Sequence, residues 1–145
     1  MFKTILLPTD GSDLSRKAID TAIEYAQLSG AKIYGISVAE PYPFTPLAES
    51  AMSIDPSVYE ENVCNLARQH VSKIVDAAQI AGVACEVSIV LSFSPDEEII
   101  NAAHKFNCDA IFMASHGRSG LSRLFLGSKT QKVLAHSTIP VLVLR

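Results

Sequence analysis

"DAIFMASHGRSGLSRLFLGSKTQKVLAHSTIPVLVLR" (residues 109–145) joins two short apolar runs through a glycine-rich basic loop and a helix-like segment. "DAIFMA" (109–114) and "PVLVLR" (140–145) have the length and apolar character of buried strands. "GSKTQKVLAHS" (127–137) reads as the helix between them. The loop segment "ASHGRSGLSRLFLGSKT" (114–130) carries three glycines, three lysine or arginine residues and no acidic residue. Strand, loop, helix and strand in that order predict a parallel pair with a helical crossover.

The same alternation extends back to the start of the chain. "KTILLP" (3–8) is a strand ended by proline. A helix capped by Ser12 follows, with Leu14, Ala18, Ala22, Tyr25 and Ala26 on one face and Gly30 as its stop. "AKIYGISVA" (31–39) is a second strand. Residues 40–56 hold four prolines and are expected to be an irregular surface excursion. A long helix fits 57–81, with Val63, Leu66, Ala67, His70, Ile74, Ala78 and Ala81 on its apolar stripe and Gly82 after it. His70 reads as a boundary residue tolerated on that stripe. "ACEVSIVL" (84–91) is a third strand, and Ser94, Pro95 and Glu97 form a capping-box start for the next helix. Strands apolar on both faces that alternate with helices argue for a parallel sheet covered on both sides.

Composition sets the limits of this reading. The chain has 145 residues, 48% hydrophobic and 19% charged, with a formal net charge of −3. That predicts one globular domain over 1–145. The charge balance implies no general attraction to nucleic acid or to an anionic membrane. The apolar start is too short for a signal peptide, and no run approaches the ~20 residues of a membrane span. Cys64, Cys85 and Cys108 are widely spaced within apolar patterns and read as reduced core residues of a cytoplasmic protein. The histidines show no metal-ligand spacing, so no metal site is expected.

Open parallel sheets bind ligands beyond the carboxyl ends of their strands, where strand order reverses. Asp10 stands at the tip of the first strand in "LLPTDGSD". The second strand ends at Val38, whose backbone can offer a donor and an acceptor to a flat ring. Gly117 and Gly120 permit positive φ and close backbone approach. Gly127 and Ser128 open the last helix, where unpaired N–H groups and the helix dipole favour an anion. Lys129, Arg118 and Arg123 supply positive charge. One helix terminus contributes roughly 0.3–1 kcal/mol to an anion, so a polyphosphate engaging several groups is the ligand that suits the loop. Two readings stay open from the residues alone: a phosphate cradle, and a flexible glycine loop with Ser128 as a plain N-cap. "GSKT" is out of register for a Walker loop, and no dinucleotide fingerprint is present.

With those residues in view, the chain resembles the universal stress protein family over its whole length. The resemblance rests on "ILLPTDGSD", "SVAEP", "ASHGRSGLSRLFLGSKTQKVL" and "STIPVLVLR". The nucleotide-binding branch of that family has a G-x-x-G-x9-G-[ST] signature. Gly117, Gly127 and Ser128 match it, and Ala114 stands where its first glycine is usual. The resemblance implies a Rossmann-like α/β three-layer sandwich with a five-stranded parallel sheet in order 3-2-1-4-5. It also implies ATP, ADP or AMP in the cleft, with or without magnesium, and a homodimer. Carried over by position, Asp10 lies near the ribose or adenine with Pro8 and Thr9 beside it. Val38 meets adenine through its backbone, and Met113 and Ala114 line the sugar. Gly117, Arg118, Gly127, Ser128 and Lys129 hold phosphates. The dimer is expected through the C-terminal strand, Pro140 to Arg145, an apolar edge in that order.

Two other functions are compatible with the pattern. A slow ATPase needs a base and a metal-holding carboxylate, for which Asp10 and His116 are the available groups. A ligand-free dimeric interaction protein needs no glycine signature, which the spacing of Gly117 and Gly127–Ser128 argues against. At Ala114 the simplest expectation is that the strand continues through it, with the turn starting at Ser115 and His116.

Overall fold

The computed structural model describes residues 1–51, 53–117 and 126–145. Five strands form one parallel sheet in the order β3-β2-β1-β4-β5, the order expected. The strands are β1 (Thr4–Pro8), β2 (Lys32–Ala39), β3 (Cys85–Leu91), β4 (Ala110–Ala114) and β5 (Val141–Leu144). The helices are α1 (Asp13–Ser29), α2 (Pro46–Ala51), α3 (Pro56–Ala81), α4 (Pro95–Lys105) and α5 (Ser128–His136).

Central strands bury both faces, which explains their unbroken apolar runs. Ile5 and Leu7 of β1 enter one core cluster with Ala18, Ala22, Ile74 and Phe112. Leu6, between them, enters the opposite cluster with Ile36, Ile99, Ile111 and Val133. Alternate residues of one strand thus hold α1 and α3 on one face and α4 and α5 on the other. Tyr25 completes the first layer, its ring 5.4 Å from that of Phe112 and its hydroxyl accepting the Phe2 N–H at 2.9 Å.

Local signals set most helix ends. The Ser12 hydroxyl accepts the Ser15 N–H at 3.2 Å, and Gly30 closes α1 at φ 72°. Gly82 closes α3 at φ 68°. Both glycines occupy the left-handed region that a side chain disfavours.

Several expectations need correction. The excursion at 40–56 contains α2, because "PLAESA" puts proline at the first helical position and good helix formers after it. The long helix starts at Pro56 with Asp55 as its cap. Ser94 makes no side-chain cap; its N–H donates instead to the Ser92 hydroxyl at 3.1 Å, so the capping box does not form. Gly127 is the N-cap of α5, so Ser128 is the first helical residue and the plain-cap reading of Ser128 falls. Cys108 is buried, whereas Cys64 and Cys85 are half-buried, and all three are free thiols. Burial pushes the Cys108 thiol up to about 12. No helix among the described residues is long and apolar enough to cross a membrane.

Candidate functional site: a cleft at the carboxyl ends of β1, β2 and β4

A cleft of about 540 Å³ opens where strand order reverses between β1 and β4. That volume lies within the range of small-molecule sites, ~300–1,000 Å³. Pro8 at the end of β1, Thr9 and Asp10 just beyond it, Val38 from β2, and Met113 and Ala114 from β4 line it together. Gly117, Gly127, Ser128 and Lys129 line it from the β4–α5 side. Arg118, Arg123 and Gly120 lie outside the described residues.

The floor offers backbone groups. The Ile36 carbonyl accepts the Thr9 N–H at 2.9 Å, and Pro8 opposite Ile36 is the last pair in the β1–β2 register. Parallel strands alternate their hydrogen-bonding sides with a period of two. Val38, two residues beyond Ile36, therefore points its amide and carbonyl to the same side, past the end of β1. A flat ring with one donor and one acceptor can pair there. Leu66 and Ala67 of α3 stand on one side of this slot, with Pro95 and Ile99 of α4 on the other.

The turn after β1 is tied internally. The Gly11 N–H donates to the Thr9 hydroxyl at 3.2 Å, and the Ser12 N–H donates to Asp10 Oδ1 at 3.0 Å. Thr9 and Ser15 share a buried hydroxyl–hydroxyl bond of 2.6 Å. The second Asp10 oxygen reaches across the crevice: a Cβ on Gly117 would lie 2.3 Å from it. Gly117 does not have the positive φ expected of it. Its lack of a side chain makes room for a carboxylate.

The start of α5 is clamped to the end of β4. The Thr130 hydroxyl donates to the Ala114 carbonyl at 3.0 Å, and the Gly127 N–H donates to the Ser115 carbonyl at 2.8 Å. Gly127 is therefore no anion donor through its amide, contrary to expectation. The amides of Ser128, Lys129 and Thr130 are the first three of the helix, which the helix itself cannot satisfy. These residues line the cleft, and their amides, the Ser128 hydroxyl and the Lys129 ammonium are the kinds of group that suit an anion. Ala114 pairs with Leu144 as the last residue of β4 and has no positive φ. Strand geometry continues through it, and its methyl group costs no backbone strain.

Sequence reasoning missed the α3 wall. Val63, Leu66, Ala67 and His70 line the cleft, although their stripe reads as core. Leu66 is 39% exposed, whereas Ile74 and Ala78 further along are buried against the sheet. His70, expected at the boundary, is 8% exposed and lines the cleft. Periodicity marks the inward face of a helix but not where the sheet beneath it ends. Carboxylates reach the cleft from Asp10 and Glu40, and no group of three metal-binding side chains occurs among the described residues.

Comparison with known proteins agrees with this architecture. The profile of the universal stress protein family matches residues 1–145. Universal stress protein MJ0531 of Methanocaldococcus jannaschii is 33% identical over 146 residues, covering all of this chain and 83% of that protein. The solved structure of hypothetical protein MJ0577 superposes with a TM-score of 0.84 at 27% identity, covering 99% of this chain and 96% of that one. A universal stress protein in complex with cAMP has a TM-score of 0.70 at 25% identity, covering 99% and 97%.

Proposed function

The chain belongs to the universal stress protein family, and on that premise we propose that it is a regulatory module that binds an adenine nucleotide with little or no turnover. The observation that carries this reading is the pairing of two features at opposite ends of one cleft. Val38 offers backbone groups beyond the end of β1, and the first amides of α5 face the same space with Ser128 and Lys129. A base fits the slot and phosphates fit the helix terminus. The similar protein in complex with cAMP supports the base and phosphate classes together.

The roles follow the geometry. The Val38 amide and carbonyl meet the adenine edge, and Pro8, Met113 and Ala114 flank the base and sugar. Thr9 supports the turn that presents Asp10 to the ribose. Gly117 gives Asp10 and the ligand room, Gly127 sets the start of α5, and Ser128 and Lys129 bind phosphate. Arg118 adds charge to the same loop. ATP is the ligand proposed first, with ADP and AMP engaging fewer of these groups. Magnesium accompanies the triphosphate. The chain acts in the cytoplasm, in keeping with its free thiols, and as a homodimer through β5, the edge strand beyond β4.

Mass spectrometry of ligand released from gently purified protein tests the reading, with an adenine nucleotide as the expected species. Replacing Ser128 and Lys129 together by alanine should abolish its retention. Both side chains are exposed, so the fold is untouched. Retention by that variant at the original level would contradict the phosphate assignment.

A further inference from the structure

At three glycines in or beside the cleft an added side chain would collide with a neighbour. A Cβ on Gly11 would lie 2.3 Å from Nε2, 2.4 Å from Cδ2 and 2.9 Å from Cε1 of His70. A Cβ on Gly117 would lie 2.3 Å from Asp10 Oδ2, and one on Gly127 would lie 3.0 Å from the His116 Cα. The first two contacts share a turn. Gly11 follows Asp10, and the Asp10 carboxylate that reaches Gly117 also accepts the Ser12 N–H.

The His70 ring is well placed to fix that turn. Its neighbours on α3, Ala67, Val71 and Ile74, are buried, so the helix holds the ring in a set position relative to the sheet. Gly11 has φ 77°, a conformation open to glycine and to few others. Glycine at this point leaves the turn free to move unless something packs on it. Thr9 and Asp10 tie it from within; the imidazole bears on it from outside. Because His70 also lines the cleft, removing the ring opens space beside Gly11 that is continuous with the ligand cavity.

We infer that His70 is a positioning residue. Its ring, carried by α3, props the Asp10–Gly11–Ser12 turn so that the Asp10 carboxylate stays lodged against Gly117. His70 acts through Asp10 and not on the ligand. Its effect on nucleotide affinity rests on the function proposed above; its effect on the turn does not.

The test therefore has two readouts. In ligand-free protein, amide hydrogen exchange at Ser12 reports the bond to Asp10. His70→Ala should raise that exchange at least tenfold, and His70→Phe, which keeps a flat ring, should stay within threefold of wild type. In ATP titrations His70→Ala should weaken binding about tenfold, His70→Phe should restore it, and His70→Ala with Asp10→Ala should bind no more weakly than Asp10→Ala alone. Should the alanine chain not fold, His70→Asn removes the ring while keeping a polar group and takes its place in each comparison. Unchanged Ser12 exchange in the ringless variant overturns the inference, as do additive losses in the double variant. Faster Ser12 exchange in a protein whose wild type binds no ATP upholds the positioning role and refutes the nucleotide reading alone.

Discussion

The Asp10 carboxylate lies against the Cα of Gly117, so that a Cβ at residue 117 would come within 2.3 Å of Asp10 Oδ2. Asp10 belongs to the turn after β1 and Gly117 to the segment after β4, on opposite sides of the crevice. Their contact joins the two halves of the cleft where strand order reverses.

Gly117→Ala should therefore displace Asp10 while leaving the core intact, since neither residue is buried in it. The expected result is a loss of ATP affinity of tenfold or more, with a thermal midpoint within about 2 °C of wild type. Isothermal titration and a melting curve check both parts. An alanine variant with wild-type affinity would show that Asp10 takes no part in binding.

Ala114→Gly should change ATP affinity less than tenfold, equivalent to about 1.4 kcal/mol. The strand runs through residue 114, where Ala114 pairs with Leu144 and its carbonyl accepts the Thr130 hydroxyl. A hundredfold gain on titration would mean that the alanine methyl crowds the nucleotide.

The strands and the tips of β1 and β4 were legible in the sequence, because each rests on a local signal, whereas the sheet order came only with the family resemblance. "KTILLP" and "DAIFMA" are short apolar runs, and Asp10 and Ser128 stand next to the helix starts that follow them. Contacts between distant segments left no such mark. Gly117 reads as a positive-φ glycine, yet its partner is Asp10, more than one hundred residues earlier. The Gly127 amide reads as free, yet the Ser115 carbonyl takes it. Val63, Leu66 and Ala67 read as core, and His70 as a residue at its boundary, because α3 keeps one apolar stripe both over the sheet and beyond its edge. The contact of His70 with Gly11 depends on tertiary packing alone.

Asp109 should make stability depend on acid pH. Burial pushes its pKa up, but backbone N–H donors from Lys3 and Thr4 outweigh this, so the net value is lowered. A carboxyl whose folded pKa lies below its unfolded value of about 3.9 stabilises the fold fully above that value. The contribution is lost as pH falls through the lowered folded value. Asp109→Ala should cost about 1 kcal/mol at neutral pH, since the group is exposed and its charged hydrogen bonds are partly screened. The difference from wild type should vanish in urea unfolding series near pH 2; a constant difference from pH 7 to pH 2 would contradict the assignment.

Val143→Pro should convert a dimer into a monomer in light scattering. Among the described residues β5 pairs with β4 alone; the Pro140 and Leu144 carbonyls accept the Ile111 and Ser115 N–H groups, so with a period of two the amides of Val141 and Val143 face outward from this edge strand. Proline at 143 removes an outward donor and leaves the bonds to β4 in place. A folded variant that remains dimeric would place the interface elsewhere.

Isothermal titration of the wild-type protein with ATP, ADP, AMP and GTP in the presence of magnesium tests the central claim most directly. The account predicts micromolar binding of the adenine nucleotides, strongest for ATP because the first amides of α5, Ser128 and Lys129 engage its phosphates together. It predicts much weaker binding of GTP, whose base presents the wrong edge to the Val38 amide and carbonyl. No measurable heat with any adenine nucleotide, on folded protein freed of carried-over ligand, would contradict it.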